Sequence, residues 1–516
     1  MIEAIFWGAT LRVAQALVQA TPTILVGLAV AGIFRRLLGH ANTRRLFGRG
    51  TWRELPQAWL IGMLLPVCSL GVIPVARELR RAGVKGGTIL AFAMTAPLFN
   101  PLSLLYGLTL SEPFVILSFA FCTMVVVTFV GFLFNRLLPD SSAEAEPPPV
   151  AFGLRRMASI VVVAAREVVG PSLGYVLIAL IGVAGLCAAL PAGSLQATME
   201  HKNPYAPLAM VGVAIPAYTS PLAAMSQIGS MFQHANSVGA AFVLLTLGAG
   251  INLGLIAWAC RNFGLARGLA WLAMLVAVVL GLAYAIENPL YPSEIEPPGH
   301  THAFDIYCRP FDSGSTATLA PLAVAKLREA IDPVARVGLI VLATLAVIGL
   351  VLRALDGRWR VENWLERVPE TPSDGQPGWL NVSIPPPALG GIALAGLVAF
   401  SLVGCFAYYP SPREVFDEMT ILRGEVLTAA LTGNQKHAGH FIPVWEDWTR
   451  RLQVGTFLRE GRLGPYRRMK AKVFRDRLEF LKHAVEEGDR EESREIVQSL
   501  QKAYGRMRQA YLEPRG

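Results

Sequence analysis

The chain has 516 residues, of which 53% are hydrophobic and 16% are charged, and it carries a formal net charge of +9. This composition is more apolar than a soluble domain of the same length requires, which argues against an ordinary globular protein. Lys and Arg fall mainly in loops beside apolar stretches and in a mixed-charge tail. We therefore expect a lipid bilayer as the partner and no nucleic acid.

Apolar stretches that could cross a bilayer, which takes roughly 20 residues, recur along the chain. They lie at about 13–34, 87–109, 113–135, 171–191, 237–260, 268–286, 337–355 and 387–409. Two more, at 58–76 and 204–225, are interrupted by prolines. The predicted fold class is an all-α polytopic membrane protein.

The interrupted stretches belong to two segments that look like copies of one another. They contain Pro66-Val67-Cys68-Ser69-Leu70-Gly71 in the first copy and Ile215-Pro216-Ala217-Tyr218-Thr219-Ser220-Pro221 in the second. The spacing from Gly87 to Asn100 equals that from Gly239 to Asn252. Paired hydrophobic segments broken at corresponding places in two halves indicate the binding site of a secondary transporter.

The charges of the loops predict how these segments enter the membrane. Residues 35–57 carry six arginines and one acid, so the positive-inside rule predicts a cytoplasmic loop. The next polar stretch, 77–85, is also basic. A full crossing by 58–76 would place the two basic stretches on opposite sides, whereas a re-entrant hairpin returns both to one face. The alternative is that both interrupted stretches are kinked ordinary spans in a plain helical bundle.

Following the loop charges along the chain gives two inverted repeats, each with a broken or re-entrant hairpin. The predicted domains are a first membrane repeat at 1–140, a cytoplasmic linker and interfacial helix at 141–170, a second membrane repeat at 171–286, an extracytoplasmic loop at 287–335, two additional transmembrane helices at 336–409 and a soluble helical tail at 410–516.

The broken segments offer groups that could bind a solute. Backbone groups near a break lack regular helical partners, and the hairpin positions concerned are Pro66, Gly71, Pro74, Pro97, Pro216 and Pro221. The predicted substrate-binding residues are Cys68, Ser69, Asn100, Ser220 and Asn252. The alternatives are that the asparagines make hydrogen bonds between helices and that Cys68 is a small core residue.

The first copy resembles the ArsP-type predicted permeases, through Pro66 to Pro74, Gly83, Gly87 and Ala96-Pro97-Leu98-Phe99-Asn100-Pro101. The resemblance covers roughly residues 10–285. It implies a multi-pass transporter of the cytoplasmic (inner) membrane that exports trivalent organic arsenicals, with cysteines of the Cys-Ser-Cys-Gly type implicated.

This chain departs from that pattern in its cysteines. Cys68 matches the first cysteine of the pattern, whereas Leu70 stands at the second and Tyr218-Thr219-Ser220 replaces any cysteine in the second copy. The permease assignment therefore carries over to this chain better than the substrate does. We expect a secondary transporter that exports a small, thiophilic solute by alternating access.

Two histidine clusters outside the repeats suggest an extracytoplasmic metal site. Its predicted ligands are His300, His302, Asp305 and Cys308, joined by His437 and His440. Zn or Cu would suit these donors, although neither cluster has an established zinc spacing. The alternative function is a membrane-anchored metal-binding or sensory protein that acts through the outer loop and the tail. The transport prediction requires no cofactor.

The tail has apolar residues at helical spacing in 465–487 and 491–512, with a turn predicted at Gly488-Asp489-Arg490. This pattern predicts a helical hairpin, which could support a homo-oligomer or dock a partner. We find neither a nucleotide-binding loop of the G-x-x-x-x-G-K-[ST] kind nor an intramembrane nucleophile and base pair, so we do not expect an enzyme.

Overall fold

The computed structural model describes residues 2–48, 53–110, 113–138, 155–291, 303–355 and 386–512. Within these ranges the regular structure is helical, apart from an isolated β-bridge between Glu200 and Asn236. Six of the described helices are long and apolar enough to cross a membrane, and a seventh span results if one bent helix pair is counted. The prediction of an all-α polytopic membrane protein is confirmed.

The first half of the membrane region consists of long helices at its two ends and two broken helix pairs between them. The helices are α1 (Ile2–Gly32), α2 (Gly39–Leu46), α3 (Glu54–Leu64), α4 (Val72–Arg81), α5 (Gly86–Thr95), α6 (Pro101–Leu110) and α7 (Pro113–Leu137), with a π-helical turn at Ile33–Leu38.

The second half repeats this order after α8 (Arg155–Val168), which lies within the linker and interfacial helix predicted at 141–170. Its helices are α9 (Pro171–Ala189), α10 (Ala206–Ala214), α11 (Pro221–Gln233), α12 (Val238–Val243), α13 (Leu253–Phe263) and α14 (Leu265–Glu287). A 3-10 turn at Ala197–Met199 precedes α10, and a π-helical turn at Leu244–Ala249 follows α12. Each half thus has a long helix, two broken pairs and a second long helix.

The first broken pair, α3 with α4, enters and leaves at one place. Glu54, at the start of α3, lines the same cavity of about 580 Å³ as Gly83 and Lys85, which follow α4. Arg44 and Arg45 line this cavity as well. A chain whose two ends meet in this way forms a hairpin, which is the form that the loop charges predict.

The second hairpin, α10 with α11, closes on itself through backbone hydrogen bonds. The His201 amide donates to the Ala235 carbonyl oxygen at 3.2 Å, and the Ser237 amide donates to the Met199 carbonyl oxygen at 2.9 Å. These residues flank the hairpin on both sides, so its two ends also lie together.

The remaining broken pairs, α5 with α6 and α12 with α13, are interrupted at matching asparagines. The sequence predicts single spans at 87–109 and 237–260, whereas the structure divides each into two helices, with a bend of 60° in the second. Gly239 packs on the last turn of α14 and Cys260 packs against Gly268 near its start. The second pair therefore runs along the full length of α14, as a broken crossing does.

Beyond the repeats, the predicted extracytoplasmic loop contains helix α15 (Thr316–Glu329), and two apolar helices follow, α16 (Pro333–Leu355) and α17 (Pro386–Tyr408). Helix α15 packs on the first turns of α1, where the Trp7 indole nitrogen donates to the Thr316 hydroxyl at 3.3 Å. The apolar pattern of α15 is weak and Pro321 lies inside it, which is why the sequence suggests a loop.

The described chain divides into two compact units, Met1–Leu104 with Phe114–Ala399, and Leu105–Pro113 with Phe400–Gly516. The second unit contains α18 (Pro412–Thr432), α19 (Gln435–Glu460), α20 (Pro465–Glu487) and α21 (Arg490–Leu512). Helices α20 and α21 match the predicted hairpin, and Gly488 makes the turn with a φ of 78°. That left-handed conformation favours glycine because other residues clash there.

Helices α18 and α19 extend the predicted hairpin to a bundle. The rings of Trp445 on α19 and Phe474 on α20 lie 5.1 Å apart at their centroids, and Tyr504 on α21 lies 5.7 Å from Trp445. All three side chains are buried in one core. Much of the apolar stripe of the hairpin therefore packs inside this unit, and docking of a partner or a second copy remains a prediction.

Candidate functional site

The tip of the first hairpin, residues 65–71, carries the predicted thiol. Cys68 is buried, and its sulfur accepts a hydrogen bond from the Gly71 amide at 3.3 Å while facing the Ala20 carbonyl oxygen at 4.0 Å. The Cys68 carbonyl accepts from Val72, the first residue of α4. The thiol thus helps to start α4, and in this conformation it is enclosed rather than wetted.

The tip of the second hairpin, residues 215–220, is closed by a different cap. The Ser220 hydroxyl accepts from the Ala223 amide at 3.2 Å, and Pro221 occupies the first helical position of α11. Serine at an N-cap with proline after it is a common way to begin a helix, because proline has no amide hydrogen to leave unpaired. The predicted site residue Ser220 therefore has a structural role in this conformation.

The two tips meet inside the first unit. Cys68 and Leu70 of the first tip share one buried apolar cluster with Tyr218 of the second, together with Ala20 and Ile24 of α1. Glycines make this close approach possible. A β-carbon on Gly27 of α1 would lie 2.1 Å from the Gly71 carbonyl oxygen, and one on Gly182 of α9 would lie 2.8 Å from that of Pro216.

The matched asparagines have the same local role. Asn100 Oδ1 accepts from the Ser103 amide at 2.8 Å at the start of α6, and Asn252 Oδ1 accepts from the Leu255 amide at 2.9 Å at the start of α13. Each asparagine thus caps the second half of its broken pair. The breaks also face each other, since a β-carbon on Gly250 would lie 3.2 Å from the Leu98 side chain.

Asn252 has a second contact that links the two repeats. Its amide nitrogen donates to the Ser69 carbonyl oxygen at 2.8 Å, and both residues are buried. Ser69 is 183 positions away in the chain. The structure therefore brings together Cys68, Ser69 and Asn252 of the predicted substrate site.

Two buried hydroxyls around this junction have no hydrogen-bond partner among the described residues. They belong to Ser69 on the first tip and to Thr246 on the π-helical turn before Asn252. π-Helical turns occur frequently at functional sites. Buried hydroxyls without partners are costly, so these groups are the natural candidates to bond a solute.

The chemistry of the four breaks is polar and uncharged. Residues 65–71, 96–100, 215–220 and 250–252 contain no Asp, Glu, Lys, Arg or His. They offer a thiol, hydroxyls, amides and backbone carbonyls. Such a lining can bond a small neutral or soft solute, whereas an isolated ion would lack a charged partner.

The repeats also share a contact that the sequence analysis does not identify. The Gly87 amide donates to Asn135 Oδ1 at 2.8 Å, and the Gly239 amide donates to Glu287 Oε2 at 2.5 Å. Each acceptor lies 48 positions after its glycine. This equal spacing is the signal that could have revealed it.

In the second copy this acceptor is the carboxylate of Glu287, which also makes hydrogen bonds at the base of the second hairpin. Glu287 also accepts from the Ser237 hydroxyl at 2.7 Å and pairs with His201 Nδ1 at 2.6 Å. The His201 ring stacks on Tyr291 with 3.6 Å between the ring centroids. Three elements are therefore joined at the base of the second hairpin.

The predicted metal ligands are only partly covered by the described residues. His300 and His302 lie outside them. Within the described ranges no group of three His, Cys, Asp or Glu is placed to hold a metal ion. His437 pairs with Glu425 at 2.7 Å inside the second unit. Burial raises the pKa of Cys308, which disfavours the thiolate that binds metal. The metal site remains a prediction.

Tyr307 is a further residue that the sequence analysis misses at this site. Its hydroxyl lies 2.7 Å from the Thr219 hydroxyl on the second tip and donates to Gln227 Oε1 at 2.8 Å. It comes from the stretch predicted as an extracytoplasmic loop, where no pattern indicates that it reaches the repeat.

Comparisons with known proteins place the repeats in a family. A family model described as a predicted permease, of the ArsP type, matches residues 7–288. The chain is similar to the UPF0718 protein YcgR of Bacillus subtilis (strain 168), with 33% identity over 88 residues, which are 17% of this chain and 30% of that protein. The chain thus matches less than a third of that relative's length. No solved structure matches the chain.

Proposed function

We propose that this chain, which belongs to the ArsP-type predicted permease family, is a secondary transporter that exports a small thiophilic solute across the cytoplasmic (inner) membrane. The family match and the apolar helices make it a multi-pass membrane permease. The solute, the direction of transport and the mechanism of alternating access are the proposal.

The observation that carries the proposal is the junction of the two hairpin tips. Cys68 and Tyr218 pack in one cluster, and Asn252 joins the second repeat to the Ser69 carbonyl at 2.8 Å. Non-helical backbone at membrane depth is tolerated where protein encloses it or where it lines a cavity. A binding site between two repeats fits this arrangement.

The chemistry of the junction favours an uncharged, soft solute. A thiol binds thiophilic species that hydroxyls bind poorly, and the nearby Ser69 hydroxyl could bond a polar substituent. Trivalent organic arsenicals are the first candidates, because the family resemblance points to them. With one cysteine in the four breaks, we expect weaker binding than a site with several thiols would give.

Alternating access would require the tips to separate towards one face at a time. In the present conformation the tips are packed together and the Cys68 thiol is enclosed. This arrangement corresponds to an occluded state. Relative movement of the repeats would then expose the junction alternately to the two sides.

The test is uptake of trivalent methylarsenical into everted membrane vesicles that contain the full chain. We expect Cys68→Ser to lower the uptake rate by about tenfold, the equivalent of ~1.4 kcal/mol of lost interaction. Cys122→Ser is the matched control, because Cys122 belongs to α7 and to none of the four breaks. Equal uptake by the two variants would exclude Cys68 from the site, and no uptake by the wild type would exclude this solute.

A further inference from the structure

Residues 303–311, which we call the outer strap, are fastened to the membrane helices at several points. The Arg309 amide donates to the Leu190 carbonyl oxygen at 3.0 Å, just beyond the end of α9. The Arg12 guanidinium of α1 donates to the carbonyl oxygens of Asp305 and Cys308, at 2.5 and 3.2 Å. The strap therefore lies across the ends of α1 and α9.

From this strap, Tyr307 reaches the tip of the second hairpin. Its side chain is 4% exposed, and its partners Thr219 and Gln227 are 1% and 7% exposed. Because the tyrosine hydroxyl donates its hydrogen to Gln227, the Thr219 hydroxyl donates to the tyrosine oxygen. Burial raises the pKa of Tyr307 to about 12, so its hydroxyl keeps this hydrogen at neutral pH.

The position of Thr219 makes this contact relevant to transport. It stands between Tyr218, which packs against Cys68, and Ser220, which caps α11. Movement of the second tip away from Cys68 would therefore strain or break the hydrogen bond to Tyr307. The strap begins beyond residue 288, where the family match ends, so this closure comes from a segment outside the matched region.

We propose that Tyr307 is a gating residue, which holds the second hairpin tip closed on the strap side and must release Thr219 before the solute passes to that side. This inference rests on the proposed function, since it describes how the same junction opens. It is a positioning role: the tyrosine acts on the hairpin and does not have to touch the solute. Once Tyr307 withdraws, Thr219 and Gln227 are left free to bond water or solute.

The first test measures opening without any substrate. The full chain in proteoliposomes is exposed to a membrane-impermeant maleimide on the strap side, and modification of Cys68 is followed by peptide mass spectrometry. Tyr307→Phe keeps the ring and removes the hydroxyl, so two buried hydrogen bonds are lost. We expect Cys68 to react about five to ten times faster than in the wild type.

Tyr205→Phe is the matched control, because Tyr205 precedes the same hairpin and is 69% exposed. It should react at the wild-type rate. If Tyr307→Phe and Tyr205→Phe label Cys68 equally, the hydroxyl does not hold the gate and the proposal is overturned. Thermal unfolding of both variants shows whether faster labelling comes from general loss of structure.

The second test fixes the strap through native cysteines. The Cys187 sulfur of α9 lies 3.9 Å from the Cys308 carbonyl oxygen, and Cys308 lines a cavity of about 550 Å³ through which a reagent can enter. Copper(II) phenanthroline would oxidise the pair: the two thiols lose two protons and two electrons, copper(II) is reduced, and one disulfide bond forms. We expect Cys68 labelling and methylarsenical transport to fall about tenfold and to recover with dithiothreitol.

In Cys308→Ser, the oxidant should change neither Cys68 labelling nor transport. This control distinguishes the disulfide of the strap from oxidation of other cysteines. If labelling responds as expected but no arsenical moves, the gate stands and the proposed solute fails. If arsenical is transported but neither the oxidant nor Tyr307→Phe changes labelling or transport, the gate fails and the proposed function stands.

Discussion

The two hairpins share a backbone design and differ in what holds each tip. In the first tip, the Cys68 thiol bonds to the amide of Gly71 within the same hairpin. In the second, Ser220 caps the following helix and Tyr307 reaches in from the outer strap. The two hairpins therefore have the same break in the backbone. Their side chains determine the chemistry of each tip, and in the second hairpin the outer strap also holds the tip in place.

The other two broken pairs, α5 with α6 and α12 with α13, also share a backbone design and differ in their side-chain contacts. Asn100 and Asn252 cap their helices in one way, but the described contacts join Asn252, and not Asn100, to the other repeat. Similarly, Asn135 and Glu287 accept from matching glycines, but the carboxylate of Glu287 also binds His201 and Ser237. At these matched positions the second repeat carries more polar links than the first, and the following changes test that difference.

The largest effect is expected at the glycines beneath the tips. Gly27→Ala would place a β-carbon 2.1 Å from the Gly71 carbonyl oxygen, whereas Gly182→Ala would place one 2.8 Å from that of Pro216. Overpacking costs about 1–3 kcal/mol, so we expect Gly27→Ala to lower the melting temperature in detergent more than Gly182→Ala. Gly185→Ala is the control, since its β-carbon would meet nothing within 4 Å. A Gly27 variant as stable as this control would contradict the close packing of the first tip.

The next effect separates the two asparagines. Asn252→Ser keeps an N-cap oxygen but removes the bond to the Ser69 carbonyl, which should lower the free energy of unfolding by about 1–3 kcal/mol. Asn100→Ser keeps its cap and has no such bond to lose, so a change within about 0.5 kcal/mol is expected. Chemical unfolding of both variants measures this difference, and equal losses would count against the link between the repeats.

A smaller effect is expected at Glu287, which accepts the hydrogen bond from the Gly239 amide. Glu287→Gln keeps one oxygen for Gly239 but weakens the bond to His201, so we expect a loss of about 1 kcal/mol in unfolding free energy. His201→Gln should give a similar loss, and the double variant should lose little more than either one. Additive losses in this double-mutant cycle would show that the two side chains do not act as a pair.

The smallest effect on stability is expected at Ser69, and the matched comparison is with Ser220 on the second tip. Ser220→Ala removes the cap of α11 and should cost about 1 kcal/mol. Ser69→Ala removes a buried hydroxyl that has no partner among the described residues, so stability should change by less than about 0.5 kcal/mol. If Ser69 bonds the solute, its variant raises KM for the methylarsenical; unchanged stability together with unchanged KM would leave Ser69 outside the site.

Part of this architecture is predictable from local sequence. The prolines at 66 and 216 mark the breaks of the two hairpins, because proline disrupts a helix whatever surrounds it. The breaks at Asn100 and Asn252 lie inside stretches that the sequence predicts as single spans. Helices α20 and α21 were likewise predictable, since their apolar residues repeat at helical spacing and Gly488 ends the first of them. The exception is α15, whose weak pattern and internal Pro321 indicate a loop.

The sequence by itself determined an all-α polytopic membrane protein of doubled design, because apolar length, loop charge and helix breakers act within a few turns of chain. Only the tertiary structure decided which groups meet at the breaks. Asn252 bonds Ser69 across 183 positions, and Tyr307 lies against Thr219 across 88. Such contacts depend on how whole helices pack. A single tyrosine in a polar loop belongs to no periodic pattern, so the sequence does not indicate which surface it will contact.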